Sequence, residues 1–449
     1  MTEQSVSARW LAAFAAYRDP RVVAILFLGF SSGLPLLLTL STLSLWLARE
    51  GIDKTTIGLF ALAGLPYTLK FAWAPLVDRV RIPVLTRLLG RRRGWLIVTQ
   101  LVLMASIVGL GSTQPAVDAG LVALLAFTVA FCSASQDIVV DAYRIDILRD
   151  DQQGAGAAMI QVGYRIGMLA SGAGALYLAD QTSWFWVYLT MAVLITVGIV
   201  TVLLAPEPEG DGAAVAAAEA ARADALGERN PAWPRALAQG VAWVESAVIA
   251  PFADFMTRPY WLVVLLFILL YKFGDAFLGV MAYPFYVEMG FTNTEIANVS
   301  KIFGLGATLV GGILGGIFVS RYGAMRSLLV GGILQMLSNL VFAAQAMAGH
   351  NIEMLYVTIA VENLSGGMAT VAFVAYLSGL CNVAYTATQY ALLTSLMAFG
   401  RTVLSSSGGW FADQLDWVSF FVLSTAVALP GLILLVWMMR RMPAAERPR

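Results

Sequence analysis

The run Phe131-Cys132-Ser133-Ala134-Ser135-Gln136-Asp137-Ile138-Val139-Val140-Asp141 places two carboxylates one helical turn apart, near the end of an apolar segment that begins near Ala119. That segment is long enough to cross a bilayer, and an ionisable side chain inside a membrane helix is costly to keep. Such residues mark substrate or proton paths by default. The run therefore predicts a membrane-embedded pathway.

The rest of the chain agrees. It is 59% hydrophobic and 12% charged over 449 residues, with a mean hydropathy of +0.76, outside the range of soluble domains. Twelve mostly apolar segments of spanning length are expected, near 22–47, 56–77, 94–113, 119–145, 155–179, 184–205, 259–287, 298–319, 327–348, 353–380, 386–409 and 418–439. The first 20 residues carry Arg9 and Arg18 and lack the pattern of a cleaved leader, so span 1 is expected to stay in the mature protein. Arginines crowd the loop after span 2 (Arg79, Arg81, Arg87, Arg91, Arg92, Arg93) and follow spans 4, 8 and 12. The positive-inside rule then puts both termini in the cytoplasm.

With a formal net charge of +0 and no basic patch, nucleic acid is not an expected partner. Cys132 and Cys381 give no disulfide framework, and the single histidine, His350, excludes most metal and triad chemistry. No enzyme site and no cofactor are expected.

The spans divide six and six around residues 206–257, giving an expected N-terminal bundle over 1–205 and a C-terminal bundle over 258–449. Within the linker, Leu237, Val241, Val244, Val248 and Phe252 recur at helical spacing, which predicts an amphipathic helix on the cytoplasmic face. The two halves echo each other. Residues 51–58 align with 290–297, Asp78-Arg79 with Ser320-Arg321, and Tyr164-Arg165 with Gly400-Arg401. A duplicated six-helix unit encloses a cavity at the membrane midplane.

Asp137 and Asp141 stand at i, i+4, so their titrations are expected to couple. Asp137 lies deeper and is the expected proton carrier, with Gln136 as a polar wall beside it; the alternative is permanent neutralisation by Arg165 or Arg79. Lys70, Arg165, Lys272 and Arg401 also fall inside spans, as candidate anion-binding groups or as members of structural ion pairs. Lys272 and Asp275 are i, i+3, the spacing of an internal pair. Glu362-Asn363 in span 10 is a further buried acid site, either in a coupling network or bonded across helices. Trp73, one turn from Lys70, and Tyr164, beside Arg165, are candidate stacking rings.

After span 2 the chain reads Ala74-Pro75-Leu76-Val77-Asp78-Arg79, then Gly90-Arg91-Arg92-Arg93. This resembles the loop signature of the major facilitator superfamily, with an insertion and with Ala74 for the first Gly. Gly316, Arg321 and Gly323 repeat it in the second half, where Ser320 replaces the acid. The resemblance implies an all-α membrane fold of twelve helices in two six-helix bundles around a central cavity. It also implies gating roles for Asp78, Arg79 and Arg321, with Asp141 as a candidate span 4 partner for Arg79.

The strings Phe-Cys-Ser-Ala-Ser-Gln-Asp-Ile-Val (131–139), Gly-Ala-Gly-Ala-Ala (154–158), Gly-Tyr-Arg-Ile-Gly-Met-Leu (163–169), Tyr-Lys-Phe-Gly-Asp-Ala (271–276) and Gly-Arg-Arg-Arg-Gly-Trp (90–95) are similar to AmpG-type muropeptide permeases over nearly the whole chain. That likeness implies proton-driven import of N-acetylglucosaminyl-1,6-anhydro-N-acetylmuramyl species, with or without peptide, across the inner membrane. It further implies service in peptidoglycan recycling and β-lactamase induction. Muropeptides carry carboxylates, which suits the buried cations, and a monomer is expected. A transporter of another anionic solute, acetyl-CoA-like or a drug, is the alternative. Export is disfavoured, since span 5 lacks the Gly-Pro dipeptide common among exporters.

Overall fold

The computed structural model describes residues 15–52, 60–208, 212–229, 234–405 and 408–442. The start of span 2 (56–59), the 53–58 part of the loop repeat, Pro231, residues 406–407 of span 11 and the last seven residues lie outside these. Among the described residues the fold is all-α, with no strand. Ten helices among the described residues are long and apolar enough to cross a membrane.

The major helices are α1 (Pro20–Leu47), α3 (Arg91–Gly111), α4 (Ala119–Ile147), α6 (Trp184–Leu204), α7 (Trp261–Glu288), α8 (Asn298–Tyr322), α9 (Ala324–Ala348), α10 (Ile352–Gly379) and α12 (Trp417–Arg441). Spans 2, 5 and 11 are helical but interrupted. The described part of α2 is a chain of short turns, Phe60–Gly64, Leu65–Leu69, Lys70–Ala72 and Ala74–Arg79. Pro66 and Pro75 each open one of its pieces, because proline suits the first turn of a helix and not its interior. α5 (Gln153–Leu169) passes through a π turn at Ala170–Gly174 into Ala175–Ala179. α11 is Thr386–Ser405, followed by Gly408–Gln414.

Glycines set how closely the helices approach. Gly29 and Gly33 of α1 lie against the carbonyls of Ile160 and Tyr164 in α5, and Gly163 and Gly167 of α5 lie against Leu26 and Phe30 of α1. α8 meets α10 in the same way, with Gly311 on Leu364 and Gly315 on Met368. Any side chain there would drive the backbones apart.

The linker holds helices Gly212–Arg229 and Arg235–Met256. The second is apolar enough to span, yet its bonds hold it along one end of the bundle. Ser246 O accepts from Arg79 at 2.7 Å, Pro251 O from Gln389 at 2.9 Å, and Asp254 from Asn382 at 3.0 Å. Core packing joins the halves at that same end. Ala157 and Ala158 of α5 belong to the apolar cluster of α7–α10, and Ala387 and Ala391 of α11 to that of α1–α4.

Candidate functional site

Midway through the bundle, a cavity of about 150 Å³ opens between α5 and helices α7–α10. Its polar lining includes Arg165, Lys272, Asp275, Gln335, Glu362 and Asn363. Lys272 sits where α7 breaks, between Trp261–Tyr271 and Phe273–Glu288. Its Nζ lies 3.3 Å from Asp275 Oδ2 and 3.1 Å from Gln335 Oε1. Ser338 donates to Glu362 at 2.5 Å, and the Glu362 carboxyl also meets that of Asp275. Asn363 accepts from Thr308 at 2.8 Å. Arg165 is exposed to the cavity; among the described residues it makes no hydrogen bond or ion pair.

A second cluster lies across α5, on the side of α1, α2 and α4. Lys70 Nζ stands 3.9 Å from Asp141, while Ser32 of α1 donates to Asp137. Tyr67 and Tyr164 both lie in the electrostatic neighbourhood of Asp137, and Tyr164 also in that of Arg165. One cation thus faces two carboxyls. Trp73 donates to Ser135 at 3.1 Å and packs on Phe131 with ring centroids 4.7 Å apart. Gln136 is fully buried, and neither of its amide atoms has a partner among the described residues.

The third cluster closes one end. Asp78 of α2, 1% exposed, accepts from Arg92 at 3.0 Å and from the amides of Ala387 at 3.2 Å and Thr388 at 2.8 Å. Asp78 thereby caps α11, a helix of the opposite half. Arg92 also reaches Asp146 at 2.9 Å, which accepts from Thr386 at 2.8 Å. Arg144 donates to Ser378 at 2.8 Å and lies over Tyr390.

The structure sets Asp141 beside Lys70 and turns Arg79 to Ser246 and the Tyr385 ring. Arg321 stacks on Tyr322, and its Nε has no hydrogen-bond partner among the described residues. Arg401 is exposed and lines neither the cavity nor the other clusters.

The sequence reading missed Arg92, Arg144, Asp146 and Thr388. The arginines were read as loop anchors. The available signal was that Arg144 and Asp146 continue the helix of Asp137 and Asp141, and that Arg92 opens span 3.

The sequence profile of the Major Facilitator Superfamily matches residues 24–292 and 264–449. The chain is similar to the anhydromuropeptide permease of Escherichia coli (strain K12), at 42% identity over 94% of this chain and 80% of that one. It is 36% identical to the putative transporter AmpG 4 of Rickettsia felis, over 95% of this chain and 98% of that protein. Two solved structures share the fold. A proton:xylose symporter matches at TM-score 0.63 and 12% identity, over 97% of this chain and 96% of that one. An E. coli fucose:proton symporter matches at 0.64 and 10%, over 94% and 98%.

Proposed function

The chain belongs to the major facilitator superfamily, as a multi-pass membrane protein of its AmpG-type branch, and from that membership we propose that it imports anhydro-muropeptides from periplasm to cytoplasm, driven by protons. The cargo is an N-acetylglucosaminyl-1,6-anhydro-N-acetylmuramyl species, with or without peptide. The protein works as a monomer in the inner membrane, as a carrier and not an enzyme, with both termini and the Asp78 end in the cytoplasm. Its two bundles, 1–205 and 258–449, rock about the central cavity while the 206–257 linker stays on the cytoplasmic side.

The observation that carries this reading is that the Arg165 guanidinium, with no hydrogen bond or ion pair among the described residues, lines the same cavity as Lys272, with residues of both halves. A lactyl or peptide carboxylate gives that guanidinium a bidentate partner. Asn363 lines the same cavity and is at hand for sugar hydroxyls, while Tyr164 and Trp73 belong to the cluster across α5 and are reached only if the cavity widens toward it. At about 150 Å³ the cavity is smaller than a disaccharide needs, so cargo enters after the halves part on the side away from Asp78.

Asp137 carries the proton. Lys70 stands 3.9 Å from Asp141 and faces Asp137 as well, whose direct partner is Ser32. Loading a proton there balances the charge, and releasing it inward commits the transporter to return. Glu362 and Asp275 share Lys272 in the same manner, and cargo carboxylate competes with them for that cation. Asp78, Arg79 and Arg321 serve as the cytoplasmic gate.

Uptake of radiolabelled anhydro-disaccharide into vesicles, with and without an imposed proton gradient, tests the proposal. Accumulation that ignores the gradient would overturn the coupling, and no uptake at all would overturn the cargo.

A further inference from the structure

Among the described residues, the first half reaches the central cavity through α5 alone. Gln161, Val162 and Arg165 line it from that side, and every other lining residue comes from α7–α10. One side of α5 faces the second half along its length. Gly154 and Ala158 pack on Gly316 of α8, and Gln161 and Arg165 continue that side at helical spacing. Lys272, Asp275, Glu362 and Asn363 of the second half are bonded to neighbours in that half. Neither Gln161 nor Arg165 has a hydrogen bond or ion pair among the described residues. A cargo that is passed between two rocking halves has to hold both. In the cavity as it stands, its polar bonds to the first half fall to these two side chains.

The two heads suit different groups. A guanidinium only donates, and it pairs with a carboxylate. A carboxamide presents a donor beside an acceptor, which matches another amide and not a second carboxylate. Four residues apart on one helix, the two stems stand about 6 Å from each other. A short segment of ligand that carries a carboxylate close to an amide therefore reaches both. An N-acetylmuramyl residue is such a segment, since its lactyl ether and its acetamido group stand on adjacent ring carbons. A peptide stem offers the same pairing, with backbone amides near its carboxylates. We infer that Gln161 sets cargo specificity by bonding a secondary amide next to the carboxylate that Arg165 holds.

This deepens the cargo reading above and rests on it. Lys272 and Arg165 alone would accept many organic anions. Gln161 adds a second requirement, because a site built to bond an amide disfavours an anion that lacks one.

Uptake kinetics of the full chain in proteoliposomes test the assignment. The cargoes are the anhydro-disaccharide, the same compound with its muramyl N-acetyl group removed to the free amine, and the peptide-bearing form of each. Gln161→Met removes the amide at similar volume. It should raise the KM for the acetylated disaccharide about fivefold with kcat held within about twofold. The deacetylated disaccharide should lose less than about twofold. A loss confined to the peptide-bearing cargoes, whatever their acetylation, would make the amide a stem peptide bond and uphold the same chemistry. Gln161→Glu keeps the shape and should shift preference toward the free amine; it is read in place of Gln161→Met if that variant does not fold. Equal losses for all cargoes, or none, would overturn the role of Gln161 and leave the cargo reading standing. A wild-type protein that takes up none of these cargoes would overturn the cargo reading, and this inference with it.

Discussion

Asp78 binds Thr388 twice, its Oδ2 accepting both the backbone N–H and the side-chain hydroxyl at 2.8 Å. A carboxylate of one half thus caps a helix of the other, and its negative charge faces the positive end of that helix dipole. Arg92 on the far oxygen and Asp146 on Thr386 complete a buried network across this end.

Asp78→Asn keeps the shape and removes the charge. Asp146 remains on Arg92, so the cost should fall below the roughly 3–5 kcal/mol of stranding a buried ion. Spin labels at Val80 and Val383, both exposed, should report longer and broader distances in the variant. Identical distributions would show that the cap does not hold the end closed.

Arg165→Gln should raise the KM for a carboxylate-bearing muropeptide at least about tenfold, the loss of one charge-assisted bond. A cargo with its carboxylates esterified should be insensitive to the change. Equal losses for both cargoes would assign Arg165 to packing alone.

Asp137→Asn should flatten the pH profile of uptake between about pH 5 and 8 and abolish gradient-driven accumulation. Exchange of cargo across the membrane at equal pH should persist. A variant that keeps the wild-type profile would remove Asp137 from the coupling.

Glu295 offers a control in the loop before α8. The Thr292 amide and hydroxyl at 2.8 and 2.9 Å, and then His350 at 3.3 Å, hold its carboxyl below the ordinary value. A lowered value in the folded state means that its contribution is complete above the ordinary carboxylate range and is lost as pH falls through the lower one. The Glu295 carboxyl itself stays ionised across neutral pH. Glu295→Gln should therefore leave the pH profile of uptake as it is in wild type; a shifted profile would place a second titrating group in this loop.

Much of this was readable in the residues. The apolar runs gave α1, α3, α4 and their counterparts, because a bilayer leaves an apolar helix few alternatives. The acids of α4 and the cations Lys70, Arg165 and Lys272 stood out, since charge is rare in such helices. Partnership was harder to see. Lys70 of the broken α2 meets Asp141 of α4, and Arg92 meets Asp78 and Asp146, through the packing of segments far apart in sequence. Arg401 is equivalent to Arg165 by the internal repeat, yet only Arg165 lines the cavity. The linker helix passes for a span by hydropathy, and only its bonds to Arg79, Asn382 and Gln389 set it along the end.

The coupling is tested most directly by following protons and cargo together. Purified protein is reconstituted into vesicles that enclose a pH-sensitive dye, with no starting gradient, and unlabelled anhydro-muropeptide is added outside. Inward cargo flow should acidify the lumen, at a rate that falls to baseline in Asp137→Asn. Cargo entering while the internal pH stays constant would contradict proton-driven import.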